Sequence, residues 1–169
     1  WWIILLYTVV SALALWVAGM PVWDSINHAM TGITTGGFSV TDRSIASYRS
    51  PLIEAVLMPI MLFGAISFAF HYQMLTGQIR KIKEDVQTKW LLLISLLGVA
   101  LVTVSRLSEG MTLGFFRNSS FQFISAISCT GFQTADIGTW GATGQMLMVA
   151  GMVVGGAAGS TAGGIKILR

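Results

Sequence analysis

The sequence predicts an all-α membrane protein made of two tandem units, each a span, a short helix, a glycine-centred break and a second span. Three observations carry this prediction. Of 169 residues 54% are hydrophobic and only 10% charged, against about 25% charged in soluble domains. Apolar runs long enough to cross a bilayer recur along the chain. A motif near residue 34 returns 94 positions later. Mean hydropathy is +0.73. The composition excludes a disordered segment, a nucleic-acid module and a disulfide scaffold, and a single cysteine says nothing of redox compartment. The net charge of +3 is a small excess held in one linker and at the C-terminus.

Residues 1–20 carry no charge and form the first expected span. They lack a charged n-region, so they do not read as a signal peptide. The chain opens on Trp1 and closes directly after an apolar run, as a piece of a longer membrane protein would. Pro21 and Asp24 signal a helix start, and residues 22–33 are too short to span. They read as a re-entrant helix, ended by a break over 34–39. A second span follows over 52–75, with Glu54 near one end and Pro59 inside. Glu54 is open to two readings: interfacial placement, or burial with a partner such as Arg49. Residues 80–89 form a hydrophilic linker that closes the first unit, residues 1–79.

The second unit, residues 90–169, begins with a span over 90–105. A short helix is expected over about 115–128, a break over 128–133 and a last span over 142–168. That span is interrupted by a glycine-rich block over 155–164, too rich in glycine for a helix interior. Gly151, Gly155, Gly159 and Gly163 also fit close helix packing, but Gly156 and Gly164 lie off that stripe and favour a broken helix. Six Lys or Arg residues lie in the linker and at the C-terminus. The break sides hold Arg43, Arg49, Arg106 and Arg117, balanced by Asp24, Asp42, Glu109 and Asp136. This places the linker and C-terminus in the cytoplasm and the breaks outward.

Shifting the first break by 94 aligns Ile33 with Ile127, Thr34 with Ser128, Gly37 with Gly131, Phe38 with Phe132 and Asp42 with Asp136. Non-helical backbone at membrane depth survives only buried in protein or lining a wet cavity. A helix C-terminus there presents partial negative charge, and the carbonyls that follow replace the hydration shell of a cation. Candidate backbone donors are Thr34, Thr35, Gly36 and Gly37 in the first break, with Ser128, Cys129, Thr130 and Gly131 in the second. No charged side chain interrupts either stretch. Asp42 and Asp136 lie just outward, placed to raise local cation concentration.

The runs Thr34-Thr35-Gly36-Gly37-Phe38-Ser39, Thr130-Gly131-Phe132 and Gly155 through Lys166 resemble the membrane subunit of Trk/Ktr potassium-uptake systems. The resemblance covers essentially the whole chain and matches the second and third of that family's four span–pore helix–span repeats. It implies potassium as substrate and a multi-pass place in the cell (plasma or inner) membrane. It also implies a homodimer, a cytosolic nucleotide-binding regulatory subunit and the missing repeats of the same chain as partners. No enzymatic activity, cofactor or nucleic acid is expected. Gly37 and Gly131 match the family's filter glycines. The sodium-favouring plant relatives replace that glycine with serine in the first repeat, which lies outside this sequence, so a sodium or non-selective cation transporter remains open. A small-solute secondary transporter is the remaining alternative.

The resemblance further implies that Gly155, Gly156, Gly159, Ser160, Thr161, Gly163, Gly164 and Lys166 belong to an intramembrane gate below the filter. Lys166 is also explained by snorkelling to the cytoplasmic interface. Gly159 to Lys166 is not a phosphate loop, since Ile165 separates Gly164 from Lys166 and no strand precedes it. Ser160 and His71 lack the local partners of a protease dyad. His28 reads as a packed or hydrogen-bonded histidine.

Overall fold

The computed structural model describes residues 2–107 and 114–167. Glu109 and Arg169, used above to orient the chain, lie outside the described residues. Among the described residues eight α-helices follow in order: α1 Trp2–Val17, α2 Val22–Ile33, α3 Pro51–Ala65, α4 Phe68–Leu75, α5 Ile79–Glu84, α6 Val86–Ser105, α7 Phe115–Ile127 and α8 Ala142–Val154. Among the described residues there is no strand.

Local chemistry explains several of the helix ends. Gly19, at φ +97°, turns the chain after α1. Ser50 caps α3 by accepting from the Ile53 amide at 3.4 Å, with Pro51 in the first turn. Asp85 caps α6 by accepting from Thr88 N at 2.8 Å. The expected span over 52–75 is not one helix. It divides into α3 and α4, bent by 104°. Ile66 is extended and Ser67 starts a new helix by accepting from Ala69 N. The carbonyls freed at the end of α3 find donors elsewhere: Ala157 N reaches Ala65 O at 2.9 Å, and Thr161 N reaches Gly64 O at 3.2 Å. Hydropathy along 52–75 carried no sign of this bend, because its donors come from the far end of the chain.

Two apolar clusters hold the bundle. One joins Leu15, Met20, Ala29, Ile33, Leu57 and Met61 with Phe121 and Phe132 from the second half. The other joins Leu91, Val102, Phe123, Ile127 and Met148 with Ala65 and Ile66 from the first. Each half thus lends side chains to the other's core. Phe123 wedges between α6 and α8, and a Cβ on Gly98 would lie 2.0 Å from its ring.

The surface is as apolar as the core, and one helix buries polar side chains. Leu93, Leu96, Leu97 and Val104 on α6 are exposed, as are Leu5, Val9, Leu13 and Trp16 on α1 and Met146, Val149 and Val153 on α8. Ser119, Ser120, Gln122 and Ser125 on α7 are buried. An apolar skin over a core that also encloses the polar face of α7 suits a lipid surrounding. Val86–Ser105 is long and apolar enough to cross a bilayer unbroken, and α3 with α4 meets the same test only as a bent pair. Helices α1 and α8, with 16 and 13 residues, are shorter.

Candidate functional site: two helix-ending loops and a glycine-rich segment

The two breaks are closed by the same hydrogen bonds. After α2, Thr34 N reaches Met30 O at 3.1 Å, Thr35 N reaches Gly32 O at 3.2 Å, and Gly36 N and Gly37 N reach Thr31 O at 2.8 and 3.4 Å. After α7, Ser128 N reaches Ile124 O at 3.0 Å, Cys129 N reaches Ala126 O at 3.0 Å, and Thr130 N and Gly131 N reach Ser125 O at 3.0 and 3.4 Å. Every bond maps onto its counterpart by the 94-residue shift. The pattern is a Schellman turn, whose left-handed position is usually glycine. Here Thr35 and Cys129 occupy it at φ +51° and +55°, a conformation costing L-residues about 1–2 kcal/mol. Two residues on, Gly37 and Gly131 take φ +66° and +86°, where glycine carries no such penalty.

Side chains complete each turn in the same way. Thr31 Oγ1 donates to Phe38 O at 2.9 Å, and its counterpart Ser125 Oγ donates to Phe132 O at 2.8 Å. His28 and Gln122, both buried and again 94 apart, reach the segment beyond each break. His28 Nδ1–H donates to Asp24 O at 2.8 Å, which leaves Nε2 to accept from Ser39 Oγ at 2.9 Å. Gln122 Nε2 donates to Ala135 O. Motif reading stopped at Ile33 and Ile127 and so missed Thr31, Ser125 and Gln122. Extending the shift toward the N-terminus finds them, because polar residues recur at each equivalent place.

The hydroxyls of the predicted site turn to nearby partners. Thr34 Oγ1 donates to Met30 O and Thr35 Oγ1 to Thr34 O, both at 2.8 Å. Ser128 Oγ and Thr130 Oγ1 lie 2.8 Å apart. Cys129 Sγ contacts Met152 O at 3.6 Å. Among the described residues, no donor reaches the carbonyl oxygens of Thr35, Gly36, Gly37, Ser128, Cys129, Thr130 or Gly131. No cluster of three or more His, Cys, Asp or Glu side chains is placed among them to hold a metal ion. The oxygens that no donor reaches at the two turns are main-chain carbonyls. The two breaks also touch, since a Cβ on Gly37 would come within 1.7 Å of Thr130 O.

Outside the breaks, Asp42 and Asp136 line one cavity of about 330 Å³ with Gln133, Thr134 and Arg43. Arg43 thus offsets part of the negative charge expected there. Tyr48 donates to the Asp24 carboxylate at 2.6 Å. Burial, and then that bond, hold its phenol above the usual tyrosine range.

On the other side, α8 stops at Gly155, at φ +70° and ψ −163°, and the glycine-rich block folds back on itself. A Cβ on Gly155 would lie 2.2 Å from Gly163 O, and one on Gly164 would lie 2.6 Å from Gly155 Cα. Gly156 fits against Ala162 and Ala65 O. Gly159 O accepts from Phe68 N at 3.1 Å. Thr161 Oγ1 lies 2.9 Å from both Ile33 O and Gly64 O, so the block reaches the last carbonyl of α2. Ser160 Oγ caps its own loop at Ala157 O, 2.6 Å away. Lys166 turns its ammonium back to Ala162 O, inside the glycine-rich block. Glu54 is buried, and its partner is Arg117 on α7 rather than Arg49.

The profile of the TrkH family, a cation transport protein, matches residues 1–169. The Trk system potassium uptake protein TrkI of Halomonas elongata is 35% identical over 166 residues, 96% of this chain and 34% of that protein. An uncharacterized cation transporter of Methanocaldococcus jannaschii is 34% identical over 169 residues, 99% of this chain and 33% of that protein. The crystal structure of the potassium transporter TrkH from Vibrio parahaemolyticus superposes with a TM-score of 0.91 at 28% identity, over 98% of this chain and 36% of that one. The chain spans about a third of the length of the curated relatives it matches. These relatives are transporters rather than enzymes. The chain belongs to the TrkH family of cation transport proteins.

Proposed function

We propose that this chain supplies two of the carbonyl loops of a potassium-conducting pathway in the cell membrane. In this reading α2 and α7 are pore helices, the breaks after them are filter segments, and each belongs to one span–pore helix–span repeat. The observation that carries it is the pair of matching helix-ending turns in which the candidate carbonyl oxygens, all but that of Thr34, have no donor among the described residues. Helix C-termini and uncommitted carbonyls together favour a partly dehydrated monovalent cation. Two loops enclose only part of an axis. The pathway closes with further repeats, for which the relatives, about three times as long as this chain, have room. The relatives' names point to potassium as the ion carried.

The glycine-rich block, residues 155–164, acts as the gate. It folds back beneath the end of α2, and its hydrogen bonds to Gly64, Ala65 and Ile33 hold it there. A homodimer and a cytosolic regulatory subunit complete the assembly by resemblance to Trk/Ktr systems. The test is rubidium and sodium flux into liposomes carrying the full-length parent, alone and with its cytosolic subunit. Rubidium flux that excludes sodium is expected. Equal flux of both ions removes the potassium assignment, and no flux under either condition overturns the pathway itself.

A further inference from the structure

Buried Glu54 pairs with the half-exposed Arg117, and the carbonyl loops do not use this ion pair directly. Arg117 Nε lies 3.0 Å from Glu54 Oε2; the glutamate side chain is 3% exposed and the arginine 40%. The approach does not meet hydrogen-bond geometry, so it acts as a charge–charge tether. Charges inside a lipid-embedded bundle are costly, and they persist where they pair and serve a purpose. Glu54 stands in the first turn of α3, where the helix field favours an anion. Arg117 stands in the first turn of α7, where that field disfavours a cation. Its own helix therefore gives no reason for an arginine at this position. The carboxylate across the interface does, and removing either partner leaves the other charge uncompensated.

The pair's placement gives it leverage. Helix α7 runs from Arg117 directly into the second break. Helix α3 runs from Glu54 to Gly64, where a Cβ would lie 2.7 Å from Ile33 O and 2.8 Å from the Thr35 side chain, at the first break. The two helices that carry and flank the loops are thus tied at one end by charge. The loops themselves meet at Gly37 and Thr130. We propose that Glu54 and Arg117 are positioning residues that set the spacing of the two carbonyl loops, and through it the discrimination between potassium and sodium. This inference rests on the carbonyl-loop reading above.

The test uses the full-length parent in liposomes and reads the ratio of rubidium to sodium flux. Glu54→Gln and Arg117→Gln are each expected to lower that ratio on the order of tenfold, within the range by which residues that touch no ligand alter coupling at a site. The double variant is expected to be no worse than the worse single, since both remove one interaction. Arg117→Lys keeps the charge and restores the ratio, which a role in packing alone would not predict. Should Glu54→Gln fail to accumulate, the two half-exposed Arg117 variants carry the test. Gly131→Ser in the same assay separates the two claims. If it shifts the ratio while the Glu54 and Arg117 variants do not, or if those two add independently, the positioning role is overturned. If Gly131→Ser also leaves the ratio unchanged, the carbonyl-loop reading falls, and this inference with it.

Discussion

The two helix-ending loops share their backbone hydrogen bonds yet sit in different surroundings. Gly37 lies against the Thr130 carbonyl of the other loop, whereas a Cβ on Gly131 would meet nothing within 4 Å. The aromatic residues show the reverse. Phe132 is 1% exposed and packs on His28, with ring centroids 5.5 Å apart, while Phe38 is 79% exposed. Each loop therefore offers a glycine face and an aromatic face, and within this chain each engages one. Local sequence sets the turn, and the neighbouring copy sets the environment. The two open faces, Gly131 and Phe38, are where further copies of the unit would join in the proposed pathway.

This comparison is most directly broken by adding a methyl group to each glycine. Gly37→Ala places a Cβ inside the Thr130 carbonyl at a positive φ, which no small shift of a side chain relieves. Loss of uptake in the full-length parent is expected, with destabilisation of about 3 kcal/mol or more from overpacking and backbone strain together. Gly131→Ala in the open setting described here carries only the conformational cost, about 1–2 kcal/mol. Thermal unfolding of both variants in detergent checks the difference. Equal losses would show that in the parent a further segment stands against Gly131 as Thr130 stands against Gly37.

A second contrast lies between the two interrupted helices. Helix α3 breaks for two residues and resumes as α4, whereas no helix resumes after α8 through residue 167. The first break is fixed by caps and by donors from the second. The second is a run of small residues pinned by hydrogen bonds to Ile33, Gly64, Ala65, Phe68 and Gln87. Shortening the block within residues 155–164 is expected to raise rubidium flux severalfold and leave the rubidium-to-sodium ratio unchanged, because it removes an obstruction and not a coordinating group. Unchanged flux in a variant that inserts normally would refute the gate.

Some of this was legible in the sequence and some was not, for physical reasons. The helix ends after Ile33 and Ile127 were legible, since glycine and small polar residues replace the apolar periodicity there. The bend at Ile66 was not. The run around it is apolar apart from the cap Ser67, and the donors that satisfy the freed carbonyls come from Ala157 and Thr161, which only the fold brings near. The partner of Glu54 was sought among its sequence neighbours, but charges pair across helices. Thr31 and Ser125 look like ordinary helix residues until the 94-residue shift is carried past the glycines.

That last pair gives the smallest and most discriminating effect. Ser125 Oγ donates to Phe132 O inside the protein, and both residues are buried. Ser125→Ala strands that carbonyl without water, for an expected loss of about 1–3 kcal/mol. Thr31 makes the same bond to Phe38 O where the contact is exposed. Thr31→Val leaves a carbonyl that solvent can reach, so about 0.5 kcal/mol or less is expected. Unfolding measurements on the two variants of the full-length parent decide how far the asymmetry extends. If Thr31→Val costs as much as Ser125→Ala, then Phe38 is covered in the parent as Phe132 is here. That outcome would mirror equal losses at Gly37 and Gly131, reached from the opposite face of the unit. If the two costs differ as expected, the first loop keeps an open aromatic face in the complete protein, and the likeness of the two turns ends at their backbones.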